Sequence, residues 1–324
     1  MYKIKKSFNY LLYKTRILRP PIANCQLHLG YLNKTLLYCG LFGYFVCSMS
    51  LFTTSLNSGS NGNCYYIGNS HEAVLIDAGI SCRETEKRMK RLGLDMNIIK
   101  AIFISHEHGD HICGVEALAA KYRIPVFITP ATLQNSTLRI NKELLASFKS
   151  NQPITIGKLS ILPFSKQHDA SDPHSFVISG NGVSIGVFTD IGAACSNVIQ
   201  NFKQCNAVFL EANYDEAMLE NGKYPHHLKR RITSDHGHLS NRQALDLFLQ
   251  HRPSFMTHLY LSHLSKDNNS PELVSNMFSA QAGNTEIVIA SRYKETPVYH
   301  ITGDGKKRFT TAVTHNAASQ LSLF

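Results

Sequence analysis

The chain has 324 residues, an apolar fraction of 43% and a formal net charge of +10 at pH 7. This length is enough for one large domain or two small ones, and the apolar fraction, without low-complexity runs, excludes a disordered chain. The charge is uneven, because residues 1–48 carry seven Lys and Arg and no acid, which leaves 26 basic against 23 acidic residues elsewhere. Net charge is therefore poor evidence for a nucleic-acid partner.

The first 48 residues lack the motif-like organisation of the rest. An uncharged run at 36–52, LLYCGLFGYFVCSMSLF, follows a basic stretch, which is typical of a signal peptide or a membrane anchor. The other interpretation is an upstream start codon with Met49 as the true first residue, since a strand begins at once after it. We favour the second interpretation, which predicts a cytoplasmic protein with one folded domain at 49–315.

The eight cysteines show no Cys-x-x-Cys pair and no repeated spacing. Scattered free thiols are typical of a reducing compartment, in agreement with a cytoplasmic location. Cys113 is expected to pack inside a helix rather than to bind a metal.

Hydrophobic patterning of the first half predicts strands and turns followed by strands and helices. The predicted strands are Phe52–Leu56, Asn63–Gly68, Ala73–Asp77, Lys100–Ser105 and Pro125–Ile128. The predicted helices are Ser81–Leu92, with Ser81 as N-cap, Ile112–Arg123 and a segment near Pro130–Leu138. The basic residues of the first helix, Lys87, Arg88, Lys90 and Arg91, are expected to be solvated.

The second half starts near Ile154 and has the same character. Strands are predicted around 154–162, 174–180, 183–188, Ala207–Glu211, Phe255–Leu261 and Glu286–Ala290. Helices are predicted at 195–203, near 213–220 and near 240–250. This order predicts an α/β protein, an αββα sandwich made of two similar halves.

The segment FISHEHGDHICG at 103–114 holds five acid–base side chains within six positions: His106, Glu107, His108, Asp110 and His111. It lies where a predicted strand ends and a helix begins, the end of the sheet at which α/β proteins place their sites. Neutral imidazole is a good ligand for zinc and similar cations. Alternate residues of an extended segment point the same way, and Gly109 lets the chain bend after them. The spacing predicts two ligand pairs aimed at two adjacent metals; the alternative is a polar loop with chance histidines.

The pattern His-x-His-x-Asp-His after an apolar strand resembles the hallmark of the metallo-β-lactamase superfamily. The other expected elements follow in order: Asp77 in AVLIDAGI, His168 in FSKQHDASDP, Asp190 in IGVFTDIG and His263 in LYLSHLSKDNNSPE. The resemblance covers about residue 49 to the end of the chain. It implies the four-layer αββα metallo-β-lactamase sandwich.

The resemblance also implies two divalent metal ions, zinc or manganese, and their ligands. One metal would be bound by His106, His108 and His168, the second by Asp110, His111 and His263, with Asp190 bridging the two. Asp77 would orient a ligand imidazole, and it counts with Asp110 as a candidate catalytic residue. His174 is the alternative to His168, which is preferred because QHDA follows the strand-like segment 159–162.

Four segments resemble the WalJ/YycJ-like branch of the superfamily, whose members are related to RNase Z and PhnP: SLNSGSNGNCYYI, GISCRETEKRMKRLG, RITSDHGHLSN and LSHLSKDNNSPE. The resemblance implies a dinuclear metal-dependent phosphodiesterase, a DNA exonuclease in repair or replication that uses a metal-bridging hydroxide. One alternative is a hydrolase of a small phosphodiester, thioester or lactam with the same fold. Another is a non-catalytic regulator that kept the fold.

His238 lies just ahead of a predicted helix whose N-cap is Ser240. A helix N-terminus favours phosphate, so Ser240 is a candidate substrate contact. The resemblance to RNase Z implies that His238 faces the scissile phosphate and protonates the leaving group. The alternative is a capping histidine without a catalytic role, and His236 is a weaker candidate.

The segment YPHHLKRRI at 224–232 places Lys229, Arg230 and Arg231 directly before that histidine. Such a run is predicted to hold a nucleic-acid backbone beside the active site, and a solvated charged face is the alternative.

The last five residues, Gln320–Phe324, read QLSLF. They resemble the motif by which bacterial replication and repair proteins bind the DNA sliding clamp, with apolar anchors that enter a partner's pocket. The sequence therefore predicts a clamp-binding tail at 316–324; the alternative is a tail that folds back on its own core.

Overall fold

The computed structural model describes residues 50–304 and the backbone of Arg308–Phe309. The predicted leader at 1–48 and the predicted clamp-binding tail, with Gln320–Phe324, lie outside the described residues. Across residues 50–304, no helix is both long enough and apolar enough to cross a bilayer.

The first sheet has eight strands. They are β1 (Ser50–Asn57), β2 (Cys64–Gly68), β3 (Ala73–Ile76), β4 (Ile99–Phe103), β5 (Val126–Phe127), β6 (Leu145–Ala146), β14 (Tyr299–Thr302) and β15 (Arg308–Phe309). Their order is β15-β14-β1-β2-β3-β4-β5-β6. Strands β3 to β6 run parallel, so β3 and β4 end at the same edge of the sheet.

The second sheet has seven strands. They are β7 (Ile154–Ile156), β8 (Leu159–Ser165), β9 (His174–Gly180), β10 (Val183–Phe188), β11 (Ala207–Glu211), β12 (His258–Ser262) and β13 (Glu286–Ile289). Their order is β13-β12-β11-β10-β9-β8-β7, antiparallel from β7 to β10 and parallel from β10 to β13. The parallel part brings the carboxyl ends of β10, β11 and β12 together.

Nine α-helices connect the strands within the part of the chain that the structure describes. They are α1 (Cys82–Arg91), α2 (Gly109–Ile112), α3 (Val115–Tyr122), α4 (Pro130–Asn135), α5 (Ser196–Phe202), α6 (Glu216–Asn221), α7 (His226–Thr233), α8 (Asn241–His251) and α9 (Pro271–Ser279). Both predicted N-caps are confirmed, since Ser81 accepts the N–H of Glu84 and Ser240 forms a capping box with Gln243.

Three apolar cores fill the spaces between four layers. The central core lies between the two sheets and includes Tyr65, Phe103, Phe176 and Phe209. The adjacent Tyr66 points to the opposite face of β2, where the sheet packs on α1 and α3. On the second sheet, the outer face packs on α5, α8 and α9. The αββα sandwich predicted from the sequence is therefore confirmed.

Some local predictions were wrong. The predicted helix 112–123 is interrupted, because α2 ends at Ile112 and α3 begins at Val115; between them, Gly114 packs where a Cβ would overlap the carbonyl oxygen of Ile80. Cys113 is exposed at the end of α2 and does not pack as expected. Arg88, expected to be solvated, is buried and donates to Leu56 O at 2.7 Å and to Asn57 Oδ1 at 2.8 Å. The side chain of Arg88 thus ties α1 to the end of β1 instead of facing solvent.

Candidate metal centre

Three polar residues that follow strands have left-handed backbone conformations: Asp77 (φ 58°), Asp190 (φ 54°) and His263 (φ 56°). Asp77 and His263 come directly after β3 and β12, and Asp190 lies two residues after the end of β10. Such conformations cost on the order of 1–3 kcal/mol for residues other than glycine and persist only where the surroundings impose them. All three side chains are buried at the edge where the two sheets end together.

Asp77 holds the turn after β4. Its Oδ1 accepts the N–H of Ser105 at 2.8 Å, and its Oδ2 accepts the hydroxyl of Ser105 at 2.8 Å. The same Oδ2 lies 2.7 Å from Nδ1 of His111, and both side chains are fully buried. Because Nδ1 of His111 is held by Asp77, Nε2 is the atom of this ring that can bind a cation once its proton is displaced.

The three-histidine group consists of His106, His108 and His168, whose ligand nitrogens lie within 4.8 Å of one another. Nδ1 of His168 lies 3.0 Å from the carbonyl oxygen of Gly237, while its buried Nε2 has no hydrogen-bond partner among the described residues. Burial lowers the pKa of His168 to about 3 and that of His106 well below its usual range. The three-histidine group therefore presents neutral imidazoles, which are metal ligands.

The carboxylate group consists of Asp110, His111 and His263, again within 4.8 Å of one another, together with Asp190. Oδ2 of Asp190 lies 3.2 Å from Nε2 of His111, and its Oδ1 lies 3.3 Å from Nδ1 of His263. Burial opposes ionisation of Asp190, but His263 and His111 hold its pKa well below its usual range. Burial also opposes the charged form of His263, but the carboxylates, Asp190 first, raise its pKa to about 10.

Asp190 connects the two groups. It lies in a further cluster with His106 and His111, one member from each group, and in another with His263. This position matches the bridging ligand expected from the sequence, whose role stays a prediction.

Glu211, the last residue of β11, was given no role by the sequence analysis. Its Oε1 lies 2.7 Å from Nδ1 of His238 and 3.0 Å from Nδ1 of His263, and its Oε2 accepts the N–H of Ile191 at 2.7 Å. Burial opposes its ionisation, but His238 and His263 hold its pKa at about 2. The sequence did contain a signal for Glu211 as a site residue. It stands at the end of an apolar strand, as Asp77 and Asp190 stand after theirs.

His238 reaches the site from the loop between α7 and α8. Its ring centroid lies 5.3 Å from that of His168 and 5.3 Å from that of His263, and its side chain is 20% exposed. Ser240 is buried, and its hydroxyl is engaged by the N–H of Gln243 and by Glu216 Oε1 at 2.9 Å. The structure thus brings His238 to the metal-facing side chains and uses the Ser240 side chain for capping.

The three basic residues lie on α7. Nε of Arg231 lies 2.7 Å from Oδ2 of Asp169, the neighbour of His168. Lys229 and Arg230 line a cavity of about 650 Å³ whose wall also contains Tyr214 and Tyr224. Lys229, Arg230 and Arg231 therefore do not belong to the candidate metal groups.

The two alternative histidines do not join a ligand group. His174 lies on β9, with Nδ1 2.9 Å from the carbonyl oxygen of Asp172 and its ring packed edge-on against Phe148. His236 is exposed. Among the described residues, every ligand predicted from the sequence is a member of a candidate metal group, and neither alternative histidine is.

Comparison with known proteins agrees with this geometry. The family model described as beta-lactamase superfamily domain matches residues 72–263. Exodeoxyribonuclease YycJ of Bacillus anthracis is 35% identical over 228 residues, which are 69% of this chain and 86% of that protein. Exodeoxyribonuclease WalJ of Streptococcus pneumoniae is 30% identical over 244 residues, which are 74% of this chain and 91% of that protein.

Solved structures share the fold at low identity. The metallo-β-lactamase fold protein YhfI from Bacillus subtilis superposes with a TM-score of 0.60 at 15% identity and covers 76% of this chain and 99% of its own. A diphosphatase from the PhnP family gives a TM-score of 0.54 at 16% identity, with 78% and 98% covered. The chain therefore belongs to the metallo-β-lactamase superfamily, with YycJ and WalJ among its relatives, and is a metal-dependent hydrolase.

Proposed function

We propose that the chain is a dinuclear metal-dependent phosphodiesterase that degrades DNA as an exonuclease, in repair or replication. The observation that carries this proposal is the convergence of ligand atoms from both halves of the chain into two adjoining groups. DNA as the substrate is supported by the two relatives named as exodeoxyribonucleases.

The donor set fits two divalent cations. The buried Nε2 atoms of His168 and His263 lack hydrogen-bond partners among residues 50–304, although polar atoms in a protein interior are normally paired. In both rings Nδ1 is held by an oxygen acceptor, which orients Nε2 as a ligand. Nitrogen donors from imidazole with oxygen donors from carboxylates suit zinc and also manganese.

The three-histidine group would hold one cation, Asp110, His111 and His263 would hold the other, and Asp190 would be shared. When bound, two such cations supply an activated water and stabilise negative charge on phosphoryl oxygens. Asp77 keeps His111 in one orientation and one tautomer through its short contact with Nδ1.

His238 and Glu211 form the proton-handling pair of the proposed reaction. Glu211 accepts from Nδ1 of His238, which leaves Nε2 of that ring for the leaving oxygen. A proton on Nε2 is then available to the leaving oxygen, and the ionised Glu211 stabilises the charged imidazole that carries it. Arg230 and Lys229, on the wall of the adjacent cavity, would contact the phosphate backbone without reading sequence.

The test is digestion of end-labelled single- and double-stranded DNA and RNA by the purified protein, with zinc or manganese. We expect stepwise shortening of DNA by the parent and none by His108→Ala. Absence of digestion with either metal would contradict the proposal, and equal digestion by His108→Ala would identify a contaminant.

We further propose a cytoplasmic location and a partner, the DNA sliding clamp, bound through Gln320–Phe324. The scattered cysteines support the location. The support for the partner is the sequence motif alone, because this tail lies outside the described residues. Pull-down of the clamp by the full chain, but not by a chain lacking residues 320–324, is expected; equal recovery would rule the interaction out.

A further inference from the structure

A second cavity, of about 480 Å³, lies next to His263. Its wall includes Ser58 and the residues that directly follow His263, namely Leu264, Ser265 and Lys266. Ser58 Oγ accepts the N–H of His263 at 2.8 Å, so the wall of the cavity and a candidate metal ligand are in direct contact. We call this space the Tyr293 cavity, after the exposed residue on its rim.

The lining of the Tyr293 cavity combines apolar and cationic groups. Leu264, Ile289 and Ala290 contribute apolar surface, and the cations are Lys266, Arg292 and Lys294, against one carboxylate, Glu272, among its described lining residues. The side of the metal centre next to His263 therefore attracts anions.

Tyr293 stands out among the large apolar side chains of the described residues. It is 72% exposed, whereas the other large side chains that reach the surface, Leu249 and Phe255, are 42% and 44% exposed. An exposed aromatic ring gains from being covered by a flat ligand. Its position between two cations places such a ligand among phosphate-binding groups.

The backbone beneath Tyr293 is held on both sides. Asn61 donates to the carbonyl oxygen of Arg292 at 2.9 Å, and Arg88 donates to that of Tyr293 at 3.3 Å. Arg292 Nη2 donates to Ser60 Oγ at 2.9 Å, while its buried Nη1 has no hydrogen-bond partner among the described residues. Arg292 also lines the cavity, where its guanidinium can pair with a phosphate oxygen.

We propose that the Tyr293 cavity is a subsite for one nucleotide of a single strand, next to the nucleotide that is cleaved. A base stacks on the ring of Tyr293, and the flanking phosphates pair with Arg292, Lys266 and Lys294. Aromatic stacking beside a cationic groove is how proteins hold single strands without reading their sequence. The subsite rests on the proposed nuclease function and adds a positioning element to it.

The test measures binding rather than turnover. The full chain is titrated against a fluorescein-labelled 12-nucleotide oligothymidylate in EDTA, with fluorescence anisotropy as the readout. Tyr293→Ala should weaken binding about tenfold, and Tyr293→Phe should stay within about twofold because it keeps the ring. Phe255→Ala is the matched control, because Phe255 is also an exposed aromatic residue. It lies before β12, at the opposite end of this strand from His263, and should not affect binding.

A second variant tests the charges. Lys294→Ala should lower the slope of log affinity against log salt by about one, because one phosphate contact is lost. Lys100→Ala, an exposed lysine near the start of β4, should leave the slope unchanged.

The outcomes separate this proposal from the catalytic one. If Tyr293→Ala and Lys294→Ala bind like the parent, if Tyr293→Phe loses as much as Tyr293→Ala, or if the parent does not bind the strand, the subsite is overturned. If binding depends on the ring but the parent digests no DNA with zinc or manganese, the subsite stands and the proposed nuclease function fails.

Discussion

The three-histidine group and the carboxylate group share one site but differ in charge balance. In the first, burial lowers the pKa of His106 and His168, so both imidazoles are neutral near pH 7. In the second, burial is outweighed by carboxylates, Asp190 first, which raise the pKa of His111 well above its usual range and that of His263 to about 10. Cation binding should therefore release more protons from the second group than from the first.

This difference in charge balance explains how the candidate metal centre can stay folded without its cations. Protonated His111 and His263 offset the charge of Asp190, which is buried, and that of the half-buried Asp110. The three-histidine group needs no such compensation, because neutral imidazoles cost less to bury than ions.

The largest expected effect is the loss of Asp190, the ligand proposed to be shared by both cations, compared with the loss of His108, a ligand of one cation. Asp190→Ala should remove a ligand from both cations and reduce DNA hydrolysis by on the order of a thousandfold or more. His108→Ala should also abolish hydrolysis, but the protein should keep cation in the carboxylate group. Bound metal per chain, measured by elemental analysis at pH 8, should therefore be lower for Asp190→Ala.

The matched control for these variants is His71→Ala, an exposed histidine in the turn between β2 and β3. It should keep both the activity and the metal content of the parent. Equal metal content in Asp190→Ala and His108→Ala would contradict a bridging position for Asp190.

The next largest effect concerns His238 and Glu211, which contact the carboxylate group but are not proposed as cation ligands. His238→Ala should slow turnover about a hundredfold or more by removing the proton donor, with metal content near that of the parent. Glu211→Gln should slow turnover less and also weaken metal retention, because Glu211 holds His263 as well as His238. Turnover and metal content measured on the same samples check both, and a His238→Ala enzyme as fast as the parent would exclude the proposed role.

The third prediction is that the two groups have opposite effects on how the stability of the metal-free protein depends on pH. The ordinary pKa of histidine is 6.5, and that of His168 is lowered to about 3, so between these values the unfolded chain binds more protons and stability rises with pH. The pKa of His263 is raised to about 10, so its contribution is complete below pH 6.5 and is lost as pH rises toward 10. The metal-free protein should be most stable near pH 6.5.

Thermal unfolding in EDTA between pH 4 and pH 10 measures this profile. His263→Gln should flatten the alkaline side, and His168→Gln should flatten the acidic side. A stability that rises steadily from pH 6.5 to pH 10 would contradict the charge balance assigned to the carboxylate group.

The smallest effect lies at the edge of the three-histidine group. Arg231 pairs with Asp169, but both side chains are 55% exposed, and surface pairs contribute about 1 kcal/mol at most. Arg231→Ala should therefore lower Tm by only about 2–3 °C or less. A larger loss, measured by calorimetry with Arg123→Ala as the control for another exposed pair, would show that Arg231 positions the loop of His168.

Much of the fold could be predicted because its signals are local. Apolar runs of strand length predicted most of the strands, and Ser81 and Ser240 marked two helix starts. Helix α7 was missed because it has no buried residue and so no apolar stripe. Helix α9 was missed although Ser270 and Pro271 mark its start, and Val274 and Phe278 are its buried face.

By itself, the sequence determined the strand–turn–helix that carries His106 to His111 and the identity of the candidate ligands. The turn and its own ligands follow from residue type and short spacing, which act over a few residues of chain, whereas His168, Asp190 and His263 were implied by the resemblance to the family. Only the tertiary structure decided that Glu211 contacts both His238 and His263, which are 27 and 52 positions away in the sequence. It also decided the exposure of Tyr293. Contacts of this kind depend on how two sheets pack, and packing is set by the sum of many distant side chains rather than by any one pattern.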